Sequence, residues 1–199
     1  MSIAKTPLSR SQAILEVTAA GQRHELVDAQ ILGRPQRIFK NAPPTLRALY
    51  EDTASDLPFL SYGDERWTFA QAWDASARIA QVLVQHCGVQ HGDRVAIAMR
   101  NYPEWVFAFT AATSIGAIAV AMNAHWQADE MAYALDDCGA KVVIADQERL
   151  EGLAERAPMP GLQVLAVRAE RLVAGARSLA DLSAALDDAT MPVVDLSPD

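Results

Sequence analysis

The chain has 199 residues, 51% of them hydrophobic and 21% charged, which is the composition of an ordinary soluble globular domain. Its formal net charge is −8 at pH 7, it contains only three lysines, and its arginines are scattered. Nucleic-acid binders cluster Lys and Arg to neutralise phosphates, so these totals argue against a nucleic-acid partner and against binding to an anionic membrane surface.

Residues 1–40 carry a weak secondary-structure signal and are interpreted as an N-terminal extension. The segment ELVDAQILGRPQRIFK is compatible with two short strands around Gly33-Arg34. The N-terminus has no apolar run of seven residues, so a secretory signal is not expected.

Three elements are predicted between this extension and the main alternation of strands and helices. Residues 43–55 read as a helix, and residues 59–69 read as a hairpin that turns at a Gly-Asp pair. Thr68 and Gln71 have the spacing of a capping box, which predicts the start of a long helix over 69–87.

Residues 105–122 contain no charged side chain, which raises the alternatives of a membrane span or a buried helix and strand. A span needs about twenty apolar residues, and this stretch contains threonines, a serine and many alanines. Large apolar residues recur at helical spacing over 103–115, Pro103 suits a first helical turn, and Gly116 suits a C-terminal cap. The apolar run 117–122 then predicts a strand buried on both faces, so no membrane span is expected.

The same alternation continues along the chain. The predicted strands are 93–99, 117–122, 140–146 and 162–167, and the helices between and after them are 103–115, 127–139, 147–157 and 178–189. This pattern predicts an α/β fold with a mostly parallel sheet, flanking helices and right-handed crossovers. We expect one α/β domain over 41–190, followed at 191–199 by a Pro-rich acidic linker into a missing downstream part.

Cys87 and Cys138 are the only cysteines. Counting alone permits one disulfide, but each cysteine follows a predicted helix, and free buried thiols are the favoured interpretation. Free thiols fit a reducing compartment, which predicts a cytoplasmic protein.

Motifs for catalysis and metal binding are mostly missing from the chain. It has no glycine-rich phosphate-binding pattern, no metalloprotease motif and no nucleophile elbow, and its four histidines lack metal-ligand spacing. Open parallel sheets bind ligands at the carboxyl ends of their strands. By that rule the loops of interest are 100–103, 123–127 and 146–149, and Trp126 in the second loop is a candidate contact residue.

The stretch GDRVAIAMRNYPEWVFAFTAATSIGAIAVAMNAHWQADEMAYALDDCGAKVVIAD resembles the N-terminal region of AMP-forming acyl-CoA synthetases, within the adenylate-forming ligase superfamily. The motifs that carry the resemblance are a Gly-Asp-x-Val strand, a Gly-Ala strand, a Glu-x-x-Tyr-x-Leu helix and Gly-Ala-Lys. RIFKNAPPTLRAL resembles the entry segment of the fatty-acid branch. The resemblance implies that the fold is an incomplete N-terminal subdomain of the acyl-CoA synthetase fold.

The chain makes three departures from the family pattern, none of which touches a catalytic group. Ala121 and Ala124 stand where the family often has Pro, and Gln127-Ala128 replaces a Thr-Pro helix start. These changes could loosen the loop that follows the strand.

The resemblance implies a two-step reaction in the complete enzyme. A carboxylic acid, with a fatty acid favoured over an aryl acid, reacts with ATP and Mg²⁺ to give an acyl-adenylate, and coenzyme A then gives acyl-CoA. The family's phosphate loop would be expected shortly after Asp199, and the catalytic lysine later, so this chain alone is expected to be inactive, with no catalytic residue, metal site or bound cofactor of its own. Its partners would be the remainder of its own enzyme and the carboxylic acid substrate.

Two residues are the candidates for contact with a cofactor. In some relatives a basic side chain on the loop after the Asn strand, or at the start of the helix after the Gly-Ala-Lys strand, contacts the phosphate of coenzyme A. The resemblance places His125 and Arg149 at these positions as edge contacts to coenzyme A.

Two other functions stay open on the sequence. The chain could be a non-catalytic interaction module derived from this family, which pairs through an exposed sheet edge, or an unrelated doubly wound binding domain. An incomplete sheet system exposes apolar area, so a homo-oligomer is also expected.

Overall fold

A computed structural model describes residues 7–187 and 190–197. They fall into two compact units, one formed by the described residues up to Pro44 together with Ser197, and the other by Thr45–Leu196. The second unit contains the alternating strands and helices.

The first unit consists of a short helix and a hairpin. Helix α1 spans Arg10–Val17, and strands β1, Leu26–Ile31, and β2, Arg34–Phe39, pair antiparallel. The hairpin turns at Leu32 and Gly33, which both have positive φ, as a two-residue turn between twisted strands requires. The sequence did not predict α1, which has no buried residue.

The elements between the first unit and the large sheet match the prediction. Helix α2 spans Leu46–Thr53, and strands β3, Pro58–Tyr62, and β4, Glu65–Thr68, form the expected hairpin. The capping box is confirmed, since the Gln71 N–H donates to Thr68 Oγ1 at 3.2 Å and the Thr68 N–H donates to Gln71 Oε1 at 2.9 Å. Helix α3 spans Phe69–Gln81 and continues as a π-helical turn over Val82–His86.

A parallel sheet of five strands is the centre of the second unit. In chain order the strands are β5 Arg94–Ala98, β6 Ile118–Ala121, β7 Val142–Asp146, β8 Gln163–Val167 and β9 Ala176–Ser178. The helices among them are α4 Pro103–Ser114, α5 Ala128–Asp137, α6 Gln147–Ala154 and α7 Leu179–Ala184. The spatial order is β6-β5-β7-β8-β9, with every neighbouring pair parallel, which confirms the predicted fold class.

Alternate residues of the strands pack into two separate hydrophobic cores, one on each face of the sheet. Ile97, Ile144 and Leu165 point into a core built with α3, α4 and α7. Their sequence neighbours, such as Val143 and Ala166, point into a core built with α5 and α6. The sheet is therefore covered on both faces, as parallel sheets require.

The uncharged stretch folds as helix, glycine and strand. Helix α4 has 12 residues, and Gly116 follows it with φ of +75°, a conformation that glycine adopts without strain. Within the part of the chain that the structure describes, none of the helices has the length and apolarity to cross a membrane.

The prediction that strand 117–122 is buried on both faces was wrong. Strand β6 lies at the edge of the sheet and pairs only with β5 among the described strands, and its Ile118 is 52% exposed. The sequence run is apolar, but strand order is a tertiary property that a local run does not encode. Strand β7 has the same kind of run and lies in the centre, where all five of its residues are buried.

The chain after β8 differs from the predicted helix 178–189. Strand β9 was not predicted, helix α7 already ends at Ala184, and residues 188 and 189 lie outside the described residues. Residues 190–196 form a segment without helix or strand that is held against the rest of the second unit. Arg47 Nη1 donates to the Pro192 carbonyl at 2.6 Å, and Gln81 Nε2 donates to the Thr190 carbonyl at 2.7 Å.

Candidate functional site

The three loops singled out in the sequence meet at the carboxyl edge of the sheet, and Asp146 connects two of them. Asp146 is the last residue of β7 and caps α6, with its carboxylate accepting from the Arg149 N–H at 3.3 Å. The same carboxylate accepts from the Arg100 N–H at 3.0 Å, which holds the loop that follows β5. We call loops 100–103, 123–127 and 146–149 the carboxyl-edge loops.

Arg149 ties the 146–149 loop to the 123–127 loop. Its side chain is 6% exposed and donates from Nη1 to both oxygens of Asp146, at 3.2 and 3.3 Å. Nη1 also donates to Glu148 at 2.8 Å, and Nη2 donates to the carbonyl of Ala124 in the 123–127 loop. The charge of the guanidinium is thus neutralised inside the protein, and its hydrogen bonds join the 146–149 loop to the 123–127 loop.

A second ion pair lies at the rim of the carboxyl-edge loops. Arg100 Nη2 lies 2.9 Å from Glu148 Oε2, with both side chains exposed by more than half. The hydrogen bond from Arg100, helped by the charge of Arg149, lowers the pKa of Glu148, and Glu148 in turn raises the pKa of Arg100. Both groups therefore keep their charges at neutral pH.

His125 lies on the surface of the 123–127 loop. The backbone N–H of His125 donates to Asn123 Oδ1 at 3.0 Å, and the backbone N–H of Trp126 donates to the Asn123 carbonyl at 3.1 Å. Asn123 therefore organises the turn. The side chain of His125 is exposed, and Trp126 is 37% exposed. Of the two predicted coenzyme A contacts, His125 is accessible and Arg149 is buried beneath the same loop.

A third arginine cluster at this edge, which was not predicted, is centred on Arg168 immediately after β8. Arg168 Nε donates to Glu104 at 2.9 Å, and its two Nη atoms donate to Glu65 at 2.8 and 2.9 Å. The guanidinium also lies 5.2 Å from the ring centre of Tyr62 and 5.1 Å from that of Tyr102. These contacts join the β3–β4 hairpin to the start of α4 and the end of β8.

The charges of the Arg168 cluster are mutually stabilised. Hydrogen bonds from Arg168 lower the pKa of Glu65, and the two carboxylates raise the pKa of Arg168 above its already high value. The partners lie 64 and 103 residues from Arg168 along the chain, so no local pattern could have indicated the cluster.

The residues at this edge do not fit a triphosphate or a metal ion. Arg100, Arg149, Arg168 and Arg171 each face a carboxylate, so their charges are already compensated. Among residues 7–187 and 190–197, no three His, Cys, Asp or Glu side chains are grouped so as to hold a metal ion. Phosphoryl transfer is stabilised by uncompensated cations or a metal, and the described residues of this edge supply neither.

Solved structures share this fold. The chain matches an anthranilate CoA ligase, AuaEII, in complex with anthranoyl-AMP with a TM-score of 0.70 and 25% identity, covering 77% of this chain and 30% of that one. It matches the N-terminal domain of FACL13 from Mycobacterium tuberculosis with a TM-score of 0.64 and 28% identity, covering 77% of this chain and 38% of that one. The fold is therefore that of the N-terminal region of acyl-CoA ligases.

The sequence comparisons define the family. The family model described as "AMP-binding enzyme" matches residues 48–198, and the chain belongs to this family. A medium/long-chain-fatty-acid–CoA ligase, FadD6 of Mycobacterium tuberculosis, is 34% identical over 128 residues, which are 63% of this chain and 20% of that protein. A long-chain-fatty-acid–CoA ligase, FadD13 of the same species, is 42% identical over 81 residues, which are 41% of this chain and 16% of that protein. The chain spans about a fifth or less of the length of these relatives.

Proposed function

We propose that this chain is the N-terminal part of an AMP-forming acyl-CoA ligase that acts on fatty acids. The observation that carries the proposal is the family match over residues 48–198, together with relatives named as fatty-acid CoA ligases. The complete protein would join a carboxylate to ATP with release of pyrophosphate, assisted by Mg²⁺, and then transfer the acyl group to the thiol of coenzyme A with release of AMP.

The described residues contribute a scaffold to that reaction. The cations of the carboxyl edge are paired with Asp146, Glu148, Glu65 and Glu104, so the groups that bind triphosphate must come from other parts of the protein. The 199-residue chain by itself is accordingly inactive, and the remainder of its enzyme is its principal partner.

His125 is the direct contact that we propose for coenzyme A. It is exposed on a loop whose backbone is fixed by Asn123 on one side and by Arg149 on the other. Arg149 was predicted as a second contact, and its burial supports an indirect role, in which it holds the Ala124 carbonyl and thereby the position of His125.

ATP–pyrophosphate exchange with fatty acids tests the proposed reaction. We expect no exchange from the purified 199-residue chain and exchange from a protein extended by the codons that follow codon 199 in the source gene. Exchange by the short chain would show that triphosphate binds here after all. An extended protein that folds but exchanges with no carboxylic acid would contradict the ligase function and favour a non-catalytic module.

The role of His125 is tested in the extended protein. His125→Gln should raise the KM for coenzyme A and leave ATP–pyrophosphate exchange unchanged, because exchange precedes the coenzyme A step. His86→Gln is the matched control, since His86 is also exposed but lies before β5, at the opposite edge of the sheet. Equal KM values for coenzyme A in the two variants would contradict a contact between His125 and coenzyme A.

We also propose a cytoplasmic location and self-association of the isolated chain. Cys87 and Cys138, both among the described residues, form no disulfide, which supports the cytoplasmic location. Exposed apolar side chains such as Ile118 and Tyr133 support self-association. Cell fractionation tests the location. Size-exclusion chromatography at several concentrations tests the association, and a concentration-independent monomer would contradict it.

A further inference from the structure

The first unit has no hydrophobic core of its own. Among the described residues up to Pro44, only Glu25 is buried, and its carboxylate accepts from Lys40 Nζ at 3.1 Å and from the Gly21 N–H at 2.9 Å. A two-stranded hairpin is marginally stable in water and gains stability when its apolar side chains pack against something else. Phe39, at the end of β2, is 50% exposed. The unit therefore has apolar side chains that are free to contact a partner.

Residues 31–33, which we call the hairpin tip, present a bulky apolar side chain in a strained backbone conformation. Leu32 has φ of +49° and is 82% exposed, and its neighbour Ile31 is 41% exposed. Two-residue turns of this kind normally have Asn or Asp before the glycine, because these polar residues adopt positive φ at little cost. A leucine adds strain and leaves its side chain in water, which points to a role outside the hairpin itself.

Positive charge is concentrated in the same part of the chain. Residues 1–44 contain six basic and three acidic residues, whereas residues 45–196 contain 11 basic and 21 acidic residues. The total charge of −8 argues against an anionic membrane surface, but this total conceals charges of opposite sign on the two parts. Exposed charges more than about 10 Å apart are largely screened at about 0.1 M salt, so the charges near the tip decide what it contacts.

Exposed cations follow the hairpin tip along β2. Arg34 lies opposite Ile31 in the strand register and has no carboxylate partner among the described residues. Arg37 lies 3.5 Å from Asp28, and both of these side chains are at least 70% exposed. Residues 31–40 contain three cations and no acidic residue. Since a strand rises about 3.4 Å per residue, Arg34 and Arg37 lie within about 15 Å of the tip.

A lipid surface fits the hairpin tip better than a protein partner does. The strand pairing ends at Ile31 and Arg34, so Leu32 protrudes beyond it. A turn of two residues buries far less than the roughly 1,000 Å² that a stable protein interface needs. A bilayer needs no matched pocket, because its acyl chains are fluid and its anionic headgroups attract cations near the surface.

We propose that the hairpin tip binds reversibly to the surface of an anionic bilayer. Leu32 and Ile31 insert among the acyl chains, which removes their apolar surface from water. Arg34 and Arg37 lie at the level of the lipid phosphates. The contact is peripheral and needs no membrane span. It does not depend on the proposed function, because the hairpin precedes residue 48, where the family match begins.

Co-sedimentation of the 199-residue chain with lipid vesicles tests the proposal. The partition coefficient should be at least about tenfold higher for vesicles of phosphatidylcholine and phosphatidylglycerol than for vesicles of phosphatidylcholine alone. Raising the salt to about 0.5 M NaCl should remove most of this difference. Leu32→Asn should lower the partition coefficient at least about fivefold. Asn-Gly is a preferred sequence for this turn, so the variant keeps the hairpin.

Matched substitutions in the second unit control for hydrophobicity and for charge. Leu57→Asn removes a leucine that is 66% exposed and should leave the partition coefficient unchanged. Arg34→Gln should lower the partition coefficient at least about threefold. Arg171→Gln changes the net charge by the same amount at a side chain that is 77% exposed, and should have no effect.

Three results would overturn the proposal. The first is equal partitioning, or none, with the two kinds of vesicle. The second is equal losses in Leu32→Asn and Leu57→Asn. The third is an oligomer that forms without vesicles and dissociates in Leu32→Asn, which would assign the tip to a second copy. Circular dichroism checks the fold of each variant, and Arg34→Gln tests the contact without altering the turn.

Discussion

Arg149→Met is the substitution with the largest expected effect at the carboxyl-edge loops. It removes the guanidinium that neutralises Asp146 and the donor that holds the Ala124 carbonyl, while it keeps an apolar stem of similar length. The remaining Asp146 carboxylate is only 5% exposed, so water does not replace the lost partner freely.

The magnitude follows from the burial and the remaining partners. Removing one member of a buried ion pair costs about 3–5 kcal/mol, because the other charge stays buried and uncompensated. Asp146 keeps two backbone donors, the N–H groups of Arg100 and Arg149. We therefore expect Arg149→Met to lower the free energy of unfolding by about 3 kcal/mol, the lower end of this range. For a folding unit of this size, that loss lowers the melting temperature by about 6–12 °C.

Urea denaturation followed by tryptophan fluorescence and circular dichroism measures the loss. The double variant Asp146→Asn, Arg149→Met should recover at least about 1 kcal/mol relative to Arg149→Met, because it leaves no buried charge. Arg171→Met is the control, since the side chains of Arg171 and its partner Glu151 are 77% and 46% exposed, and such pairs contribute well under about 1 kcal/mol. An Arg149→Met variant as stable as the Arg171→Met variant would refute the reasoning.

Three further outcomes follow from the structure. Gly116→Ala should lower the free energy of unfolding by at least about 2 kcal/mol, because φ is +75° and the new Cβ would lie 2.5 Å from the His91 ring carbon Cδ2. Gly63→Ala, where φ is positive but the space is open, should lower it by about 1 kcal/mol. Thermal melts measure both losses. The hydrogen bond from Lys141 lowers the pKa of Asp93. The pair therefore stabilises the folded state above the unfolded pKa of Asp93, and this stabilisation is lost as pH falls through the lower folded pKa. Lys141→Met should raise the Asp93 pKa in an NMR titration, and an unchanged pKa would contradict the pairing. Burial raises the pKa of the Cys87 thiol, so the half-buried Cys138 should react first with iodoacetamide at pH 8. Faster reaction of Cys87 would contradict its burial.

Elements with a strong local signal could be predicted from the sequence. The Thr68–Gln71 capping box, the Pro103 helix start and the break at Gly116 all depend on contacts within a few residues, and the structure contains each of them. Strand β9 was missed because its three residues, Ala-Arg-Ser, have no apolar pattern. Helix α1 was missed because it buries no residue, so no apolar periodicity marks it.

The candidate site was predictable only in part. The rule for parallel sheets selected the carboxyl-edge loops, and the structure joins those loops through Asp146 and Arg149. The sequence could not show that Arg149 is buried and bonded to the 123–127 loop, because its partner Ala124 lies 25 residues away. It also could not show the pairing of Arg168 with Glu65, which arises only when the hairpin packs beside the end of β8.

The sequence by itself determined the family, the α/β alternation and the starts of the elements that carry a strong local signal, because caps, glycine turns and apolar periodicity act over a few residues. The tertiary structure alone decided which strand is the edge, which arginines are neutralised and where the 190–196 segment runs. Those outcomes depend on the order of the strands and on charges brought together from distant parts of the chain, and no short segment contains that information.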